Sequence, residues 1–250
     1  MDVTVLGTGS PNEMRATTGL VVRAPGCAPL LIDTCGGFEL PRQLATAGIP
    51  IADLRQVVLT HRHLDHIGGM PALFIEGRPL TIYAQADTHE AVAALMLAGF
   101  PEWPVNPQIR HVTIVPRERR EIGGFSVEFF AVQHRVPTVA VRVEQDGRAL
   151  AFSADSVPCD ALLACAREAD LFLCDALYAA GDGEHLVERA RRLMHPTGRE
   201  AGEMATAAGA RALTLLHLGS RSTPERIFED ARATYTGPLR IAEDCETYRV

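Results

Sequence analysis

His61-Arg62-His63-Leu64-Asp65-His66 packs four metal-capable side chains into six residues, directly after the apolar run Gln56 to Thr60. That run reads as a strand. In an extended segment alternate residues point the same way, so His61 and His63 can grip one ion together. Once the chain bends, Asp65 and His66 can face a second ion beside it. Imidazole with carboxylate suits zinc, and less selectively manganese or iron. The stretch therefore reads as the mouth of a two-metal site; a polar loop with surface histidines is the plainer alternative.

A dinuclear centre needs about three further ligands, best held at strand ends where a rigid scaffold fixes them. His134 follows the strand Phe125 to Gln133, Asp155 follows Leu150 to Ala154, and His217 ends the strand Leu213 to Leu216. A carboxylate can bridge two cations where a neutral imidazole cannot, so Asp155 is the natural shared ligand. No cysteine is taken as a ligand; Cys35, in the Gly-rich turn Asp33-Thr34-Cys35-Gly36-Gly37, is the one that could approach the metals.

Hydrophobic patterning around these positions alternates strand and helix. Strands are expected at Val3 to Leu6, Leu20 to Arg23, Leu30 to Asp33, Leu80 to Ala84, Phe125 to Val132, Val139 to Glu144, Ala149 to Ser153, Leu171 to Cys174 and Ala212 to His217. Helices are expected at Glu39 to Ala47, Gly69 to Phe74, Asp87 to Ala98, Cys159 to Arg167, Glu184 to Leu193, Thr197 to Ala208 and Pro224 to Thr234, with Asp87 or Thr88 capping the third. Gln145-Asp146-Gly147 reads as a hairpin turn. Strands with helices recurring in both halves point to an α/β fold of two sheets packed face to face with helices outside, a four-layer αββα sandwich. A single doubly wound sheet is the competitor. The antiparallel strands cluster before residue 155 and no Gly-x-Gly-x-x-Gly opens a helix after the first strand, which argues against it.

No linker, long charge run or repeat interrupts the 250 residues, so one domain spanning 1–250 is expected. A net charge of -7 gives no global field for nucleic acid, and the clusters Arg117, Arg119, Arg120 and Arg189, Arg191, Arg192 read as solvated faces. No stretch reaches about 18 uninterrupted apolar residues, and the start has no basic leader, so a cytoplasmic protein without a membrane partner is expected. The six cysteines show no Cys-x-x-Cys pair and read as reduced thiols. The apolar, Pro-broken segment Met96 to Pro107, with Phe100 and Trp103, reads as a lid, a homodimer contact or core.

Taken in order, the chain resembles the metallo-β-lactamase superfamily, and within it looks most like the ribonuclease Z-like branch. The resemblance is carried by Leu6-Gly7-Thr8-Gly9-Ser10, Leu31-Ile32-Asp33-Thr34-Cys35-Gly36, the His61 to His66 motif, His134-Arg135-Val136-Pro137, Ser153-Ala154-Asp155-Ser156 and His217-Leu218-Gly219-Ser220-Arg221. It implies one zinc held by His61, His63 and His134, a second by Asp65, His66 and His217, and Asp155 bridging. His195-Pro196-Thr197-Gly198-Arg199-Glu200-Ala201 looks like that branch's His-x-Thr-x-x-x-Ala, whose His is linked to phosphodiester cleavage. A Glu orients that His in the family; Asp175 stands at the matching position here, a shorter carboxylate that works only if the backbone comes closer. A plain cap for the helix near Thr197 is the competing role for His195.

The tRNA-processing members also carry a long basic arm between the third His and the bridging Asp. Here only a hairpin separates His134 from Asp155, so efficient tRNA processing is not expected, and small-molecule or nucleotide phosphodiesters are the better substrates. The resemblance implies a metal-bound hydroxide as nucleophile, with Asp65 receiving or orienting its proton and His195, held by Asp175, protonating the leaving oxygen. The amides of Gly7, Gly9 and Ser10 are candidates to narrow the site, and a tight turn after the first strand accounts for the glycines equally well. An ester, lactone or thioester hydrolase of the same fold is the alternative, and a non-catalytic binding scaffold a more distant one. His89, His111 and His185 are assigned no role.

Overall fold

The computed structural model describes residues 1–11, 13–102 and 107–250. One sheet is built from β1 (Asp2–Gly7), β2 (Gly19–Arg23), β3 (Leu30–Ile32), β4 (Gln56–Val58), β5 (Leu80–Ala84), β6 (Ile109–Thr113) and β14 (Glu246–Arg249), in the order β14-β1-β2-β3-β4-β5-β6. The other holds β7 (Arg119–Ile122), β8 (Phe125–Val132), β9 (Thr138–Gln145), β10 (Arg148–Phe152), β11 (Leu171–Asp175), β12 (Leu213–Leu216) and β13 (Leu239–Ile241), in the order β13-β12-β11-β10-β9-β8-β7.

Period-two alternation decides which way each strand's residues go. Leu171 and Leu173 of β11 join Val5, Leu20, Ile32, Phe125, Phe129 and Phe152 between the sheets. Phe172 and Cys174 turn outward onto α5 (Asp160–Ala166), α7 (Gly198–Ala208) and α8 (Pro224–Arg232), through Leu162, Ala201, Ala205 and Ile227. Leu31 of β3 likewise faces out, toward α1 (Glu39–Thr46), α3 (Met70–Ile75) and α4 (Ala86–Gly99). Strands buried on both faces read as unbroken apolar runs, as β3 and Leu171 to Cys174 of β11 do. The result is the expected sandwich of two sheets flanked by helices.

Within each sheet β3 to β6 and β10 to β13 run parallel, and β8 is antiparallel to β9, which is antiparallel to β10. The carboxyl ends of β3, β4, β8, β10, β11 and β12 therefore carry Asp33, His61, His134, Asp155, Asp175 and His217. Outside the carboxyl ends of parallel strands is where open α/β sheets place ligands.

Most expected elements form within a residue or two of their sequence limits, including the turn at Asp146 and Gly147, whose φ values of 50° and 73° match a two-residue hairpin. Four strands were not expected. β6, β7, β13 and β14 are short and carry charged residues at positions an apolar pattern would need, and their pairing partners, not their own sequence, make them strands. The cap of α4 also differs: the helix begins at Ala86 after Gln85, without a side-chain cap. Asp87 then falls in the first turn, where a carboxylate still opposes the helix dipole. In the segment Met96 to Pro107, α4 runs to Gly99 and leaves Leu97 70% exposed, while Trp103 lies outside the described residues. No helix among the described residues is long and apolar enough to cross a membrane.

Two glycines let the motif loop seat itself on the turn after β3. A Cβ on Gly69 would lie 2.0 Å from the Thr34 carbonyl oxygen, and one on Gly68 2.6 Å from the Gly37 nitrogen. Gly69→Ala should therefore destabilise the fold by about 1–3 kcal/mol, the usual cost of overpacking. Gly99, where a Cβ meets nothing within 4 Å, is the control. Thermal melts should show a clear drop for Gly69→Ala and none for Gly99→Ala.

Candidate metal centre

After β4 the chain stays extended through His63 and then turns into α2 (Leu64–Ile67), which carries Asp65 and His66. The bend expected from the sequence is this helix. It divides the motif, and the described residues contain two overlapping groups that could hold a metal ion: His61, His63, His134 and Asp155, and Asp65, His66, His217 and Asp155. Asp155 belongs to both. A third group, Asp155, Asp175 and His195, adjoins them.

The Asp155 carboxylate is the meeting point. Its Oδ2 lies 3.6 Å from His61 Nε2, 3.7 Å from His134 Nε2, 3.6 Å from His217 Nε2 and 4.0 Å from His195 Nε2. Its Oδ1 lies 3.3 Å from His66 Nε2, which is itself 3.4 Å from Asp65 Oδ2.

Each of these rings is held from behind by its other nitrogen. Asp33 Oδ2 accepts from His66 Nδ1 at 2.8 Å and from the Thr60 hydroxyl at 2.8 Å. With its hydrogen committed to Asp33, Thr60 Oγ1 can only accept from His61 Nδ1, 3.0 Å away. One buried carboxylate thus fixes the tautomer of both imidazoles and leaves both Nε2 lone pairs facing inward. Thr18 Oγ1 lies 3.0 Å from His217 Nδ1, and the Met194 carbonyl accepts from His134 Nδ1 at 3.2 Å. A hydrogen bond to the far nitrogen is the usual arrangement behind a metal-binding histidine.

The donor set fits a cation. His66 Nε2 is buried and has no hydrogen-bond partner, yet it faces two carboxylates. A lone pair against carboxylate oxygens is repulsive unless a proton or a cation stands between. His63 Nδ1 lies 3.0 Å from His61 Nε2 and 3.2 Å from His134 Nε2. Nitrogens sharing one tetrahedral zinc at about 2.05 Å would stand roughly 3.4 Å apart, close to that spacing.

Protonation follows the same geometry. Burial opposes a charge on His66, but Asp155, Asp65 and Asp33 together hold its pKa well above the ordinary value. His61 and His134 go the other way: burial first, with neighbouring histidines adding to it, depresses them, His134 to about 4. Asp65 is lowered to about 2, burial being outweighed by His66 and His217. His195 is pushed up to about 9, since Asp175, Asp155 and Asp65 outweigh its burial.

His195 does not cap α7. Thr197 does, in a capping box with Glu200, and His195 is free to place Nδ1 2.6 Å from Asp175 Oδ2. Cys35 and the first loop follow the plainer of their two readings, a core thiol and a tight turn. Cys35 is buried against Gly19 and belongs to neither group; burial, then Glu39, Asp244 and Asp33, push its pKa well up. Gly9 N donates to Ala16 O and Ser10 N to Leu218 O, so those amides are spent on the chain itself. His89 and His111 contact each other away from the centre, Nδ1 to Nδ1 at 3.1 Å. Sequence reasoning missed Thr18, Thr60 and the Met194 carbonyl, none of which carries a residue-type signal; Asp33 at least stood in a recognisable motif.

Residues 29–218 match the family model described as the beta-lactamase superfamily domain. The chain is 31% identical over 265 residues to the ribonuclease Z of Methanopyrus kandleri, covering 92% of this chain and 91% of that protein. It is similar in structure to the metallo-beta-lactamase fold protein YhfI from Bacillus subtilis, with a TM-score of 0.84 at 24% identity over 99% of both chains. A diphosphatase from the PhnP family aligns with a TM-score of 0.75 at 20% identity, over 100% of this chain and 97% of the other. The sandwich, the shared Asp155 and these matches agree: the protein belongs to the metallo-β-lactamase superfamily of hydrolases and is ribonuclease Z-like.

Proposed function

We propose that the chain is a dinuclear metal-dependent phosphodiesterase acting on small-molecule or nucleotide diesters, with residues 1–250 working as one domain. His61, His63 and His134 would hold one cation and Asp65, His66 and His217 the other, with Asp155 available to both; zinc suits this set, with manganese or iron as substitutes. When bound, the cations bring the pKa of a water toward neutrality and offset charge on the phosphoryl group.

The observation that carries the reading is His195. It presents Nε2 to the same carboxylate as the ligand imidazoles, while Asp175 fixes its Nδ1–H from behind. An imidazolium so placed protonates an alkoxide leaving group, help that phosphodiester cleavage needs more than carbonyl hydrolysis does. Asp65, 11% exposed at the mouth, is placed to take the proton from the attacking water. The ribonuclease Z relative and the diphosphatase neighbour support phosphorus over carbonyl chemistry. The stretch between His134 and Asp155 is filled by β9, β10 and their turn, so there is no arm there to grip tRNA, and smaller diesters are the substrates.

Metal analysis should give two transition-metal ions per chain. Asp155→Ala should weaken both and abolish hydrolysis, while His89→Ala should change neither; equal effects would mean that Asp155 is structural.

His195→Ala should keep both metals yet slow a diester with a poor leaving group about 100-fold or more, the worth of a positioned general acid. The loss should shrink for bis(p-nitrophenyl) phosphate, whose leaving phenolate needs no proton. The same factor for both, or lactonase activity without phosphodiesterase activity, would sink the assignment.

The pH profile adds a separate check. Asp175 raises the His195 pKa, and the donor is the protonated ring. Asp175→Asn should therefore move the alkaline limb of kcat/KM to lower pH for poor leaving groups; a limb left in place would remove Asp175 from the mechanism.

A further inference from the structure

α6 (Glu184–Leu193) ends at Met194, whose φ of 63° and ψ of 46° lie in the left-handed region that helix ends ordinarily give to glycine. Met194 N donates to Arg191 O and His195 N to Ala190 O, both at 3.0 Å, the paired bonds of a Schellman terminus. The helix itself packs on a small satellite cluster, Leu177, Tyr178, Leu186 and Ala190, set apart from the main cores. That cluster fixes the body of the helix, and the left-handed turn fixes where its end points.

Two contacts depend on that turn. It swings the Met194 carbonyl to 3.2 Å from His134 Nδ1. A carbonyl can only accept, so Nδ1 carries the proton and Nε2 is left as a lone pair facing the centre. It also delivers the next residue: His195 Nδ1 lands 2.6 Å from Asp175, with its ring centroid 5.1 Å from that of His134.

We infer that Met194 is a positioning residue, whose backbone conformation sets the tautomer of one metal-ligand imidazole and the seat of the proton donor together. Its kinetic consequence rests on the phosphodiesterase reading above; its geometric consequence does not. A β-branched residue resists the left-handed region, whereas glycine enters it freely.

The test uses the zinc-loaded protein and three readouts: histidine-ring ¹⁵N–¹H correlation spectra, zinc retention against a chelator, and kcat and KM on a poor-leaving-group diester. In the wild type His134 should be protonated on Nδ1. Met194→Val should shift or lose that signal, weaken one of the two zinc ions about 10-fold or more, as loss of an outer-shell hydrogen bond does, and lower kcat at least about 10-fold with KM little changed. Met194→Gly should keep all three properties. An Nδ1 without a proton in the wild type overturns the inference, as does Met194→Val with unaltered His134 signal and zinc affinity. So does Met194→Gly failing in the same way as Met194→Val, because the side chain would then matter and the turn would not. Should Met194→Val not fold, the wild-type spectrum and Met194→Gly decide. If the ring signals and zinc affinities follow the expected pattern but no diester is turned over by the wild type, the positioning role stands and the phosphodiesterase reading falls.

Discussion

A buried carboxylate surrounded by imidazole nitrogens is the constraint on which the centre depends. Asp155 is 3% exposed, and the Nε2 atoms of His61, His66, His134, His195 and His217 stand within 4.0 Å of its oxygens. Taking so many polar atoms out of water is costly unless each finds a partner. Tethers behind the rings make the problem sharper, because Asp33, Thr60 and the Met194 carbonyl leave Nε2 of three of them as lone pairs aimed inward. A lone pair and a carboxylate cannot satisfy each other. Protons or cations must fill the gap, and the upward shift of His66 is what the arrangement does with protons. The fold thus creates a demand for positive charge, and a divalent ion meets it with less repulsion than several added protons.

Much of this was legible in the sequence because the inward-facing residues are chemically conspicuous. His61, His63, Asp65 and His66 announce themselves by spacing, and His134, Asp155 and His217 by standing at strand ends. The tethers were not legible. Thr18 and Thr60 are ordinary strand-end threonines, and a backbone carbonyl such as that of Met194 has no residue type at all. Their roles arise only when two sheets bring Thr18 of one against His217 of the other. The same holds for β6, β7, β13 and β14, whose charged side chains hide a strand that its neighbours impose. The amides of Gly9 and Ser10 show the same limit: the sequence left open whether they narrow the site or close a turn, and in the fold they are bonded within the chain.

Backbone strain marks several of the points where these parts meet. Asp33, Ala154, Met194 and His217 all have positive φ without being glycine, at 58°, 51°, 63° and 57°. Each is either a residue of the centre or the one preceding it. Such conformations persist only where the surroundings over-determine them. For Asp33, Ala154 and His217 the surroundings are the strand ends themselves, whereas Met194 ends α6: a strand that ran on straight would carry its polar residue past the cleft. A sharp turn in the last residue aims the side chain across the gap between sheets, and the neighbouring parallel strands hold the turn in place.

The orienting carboxylate behind His195 illustrates how backbone distance substitutes for side-chain length. The family resemblance calls for Glu, and Asp175 is one methylene shorter. It reaches because the two segments are stitched together: Leu177 N donates to Pro196 O at 3.0 Å and Gly198 N to Tyr178 O at 2.9 Å, on either side of a parallel bridge between Tyr178 and Thr197. At the other end, Asp175 N donates to Ser153 Oγ at 2.9 Å, tying β11 to the strand that ends in Asp155. The carboxylate is therefore fixed relative to His195 by main-chain bonds and relative to Asp155 through the Ser153 hydroxyl, and its short side chain has little freedom to lose. Asp175 Oδ1 is left buried without a partner, so the whole of its bonding to His195 runs through one oxygen. That concentrates the electrostatic support of the imidazolium on a single 2.6 Å contact. A longer Glu on this backbone would have to fold back to make it.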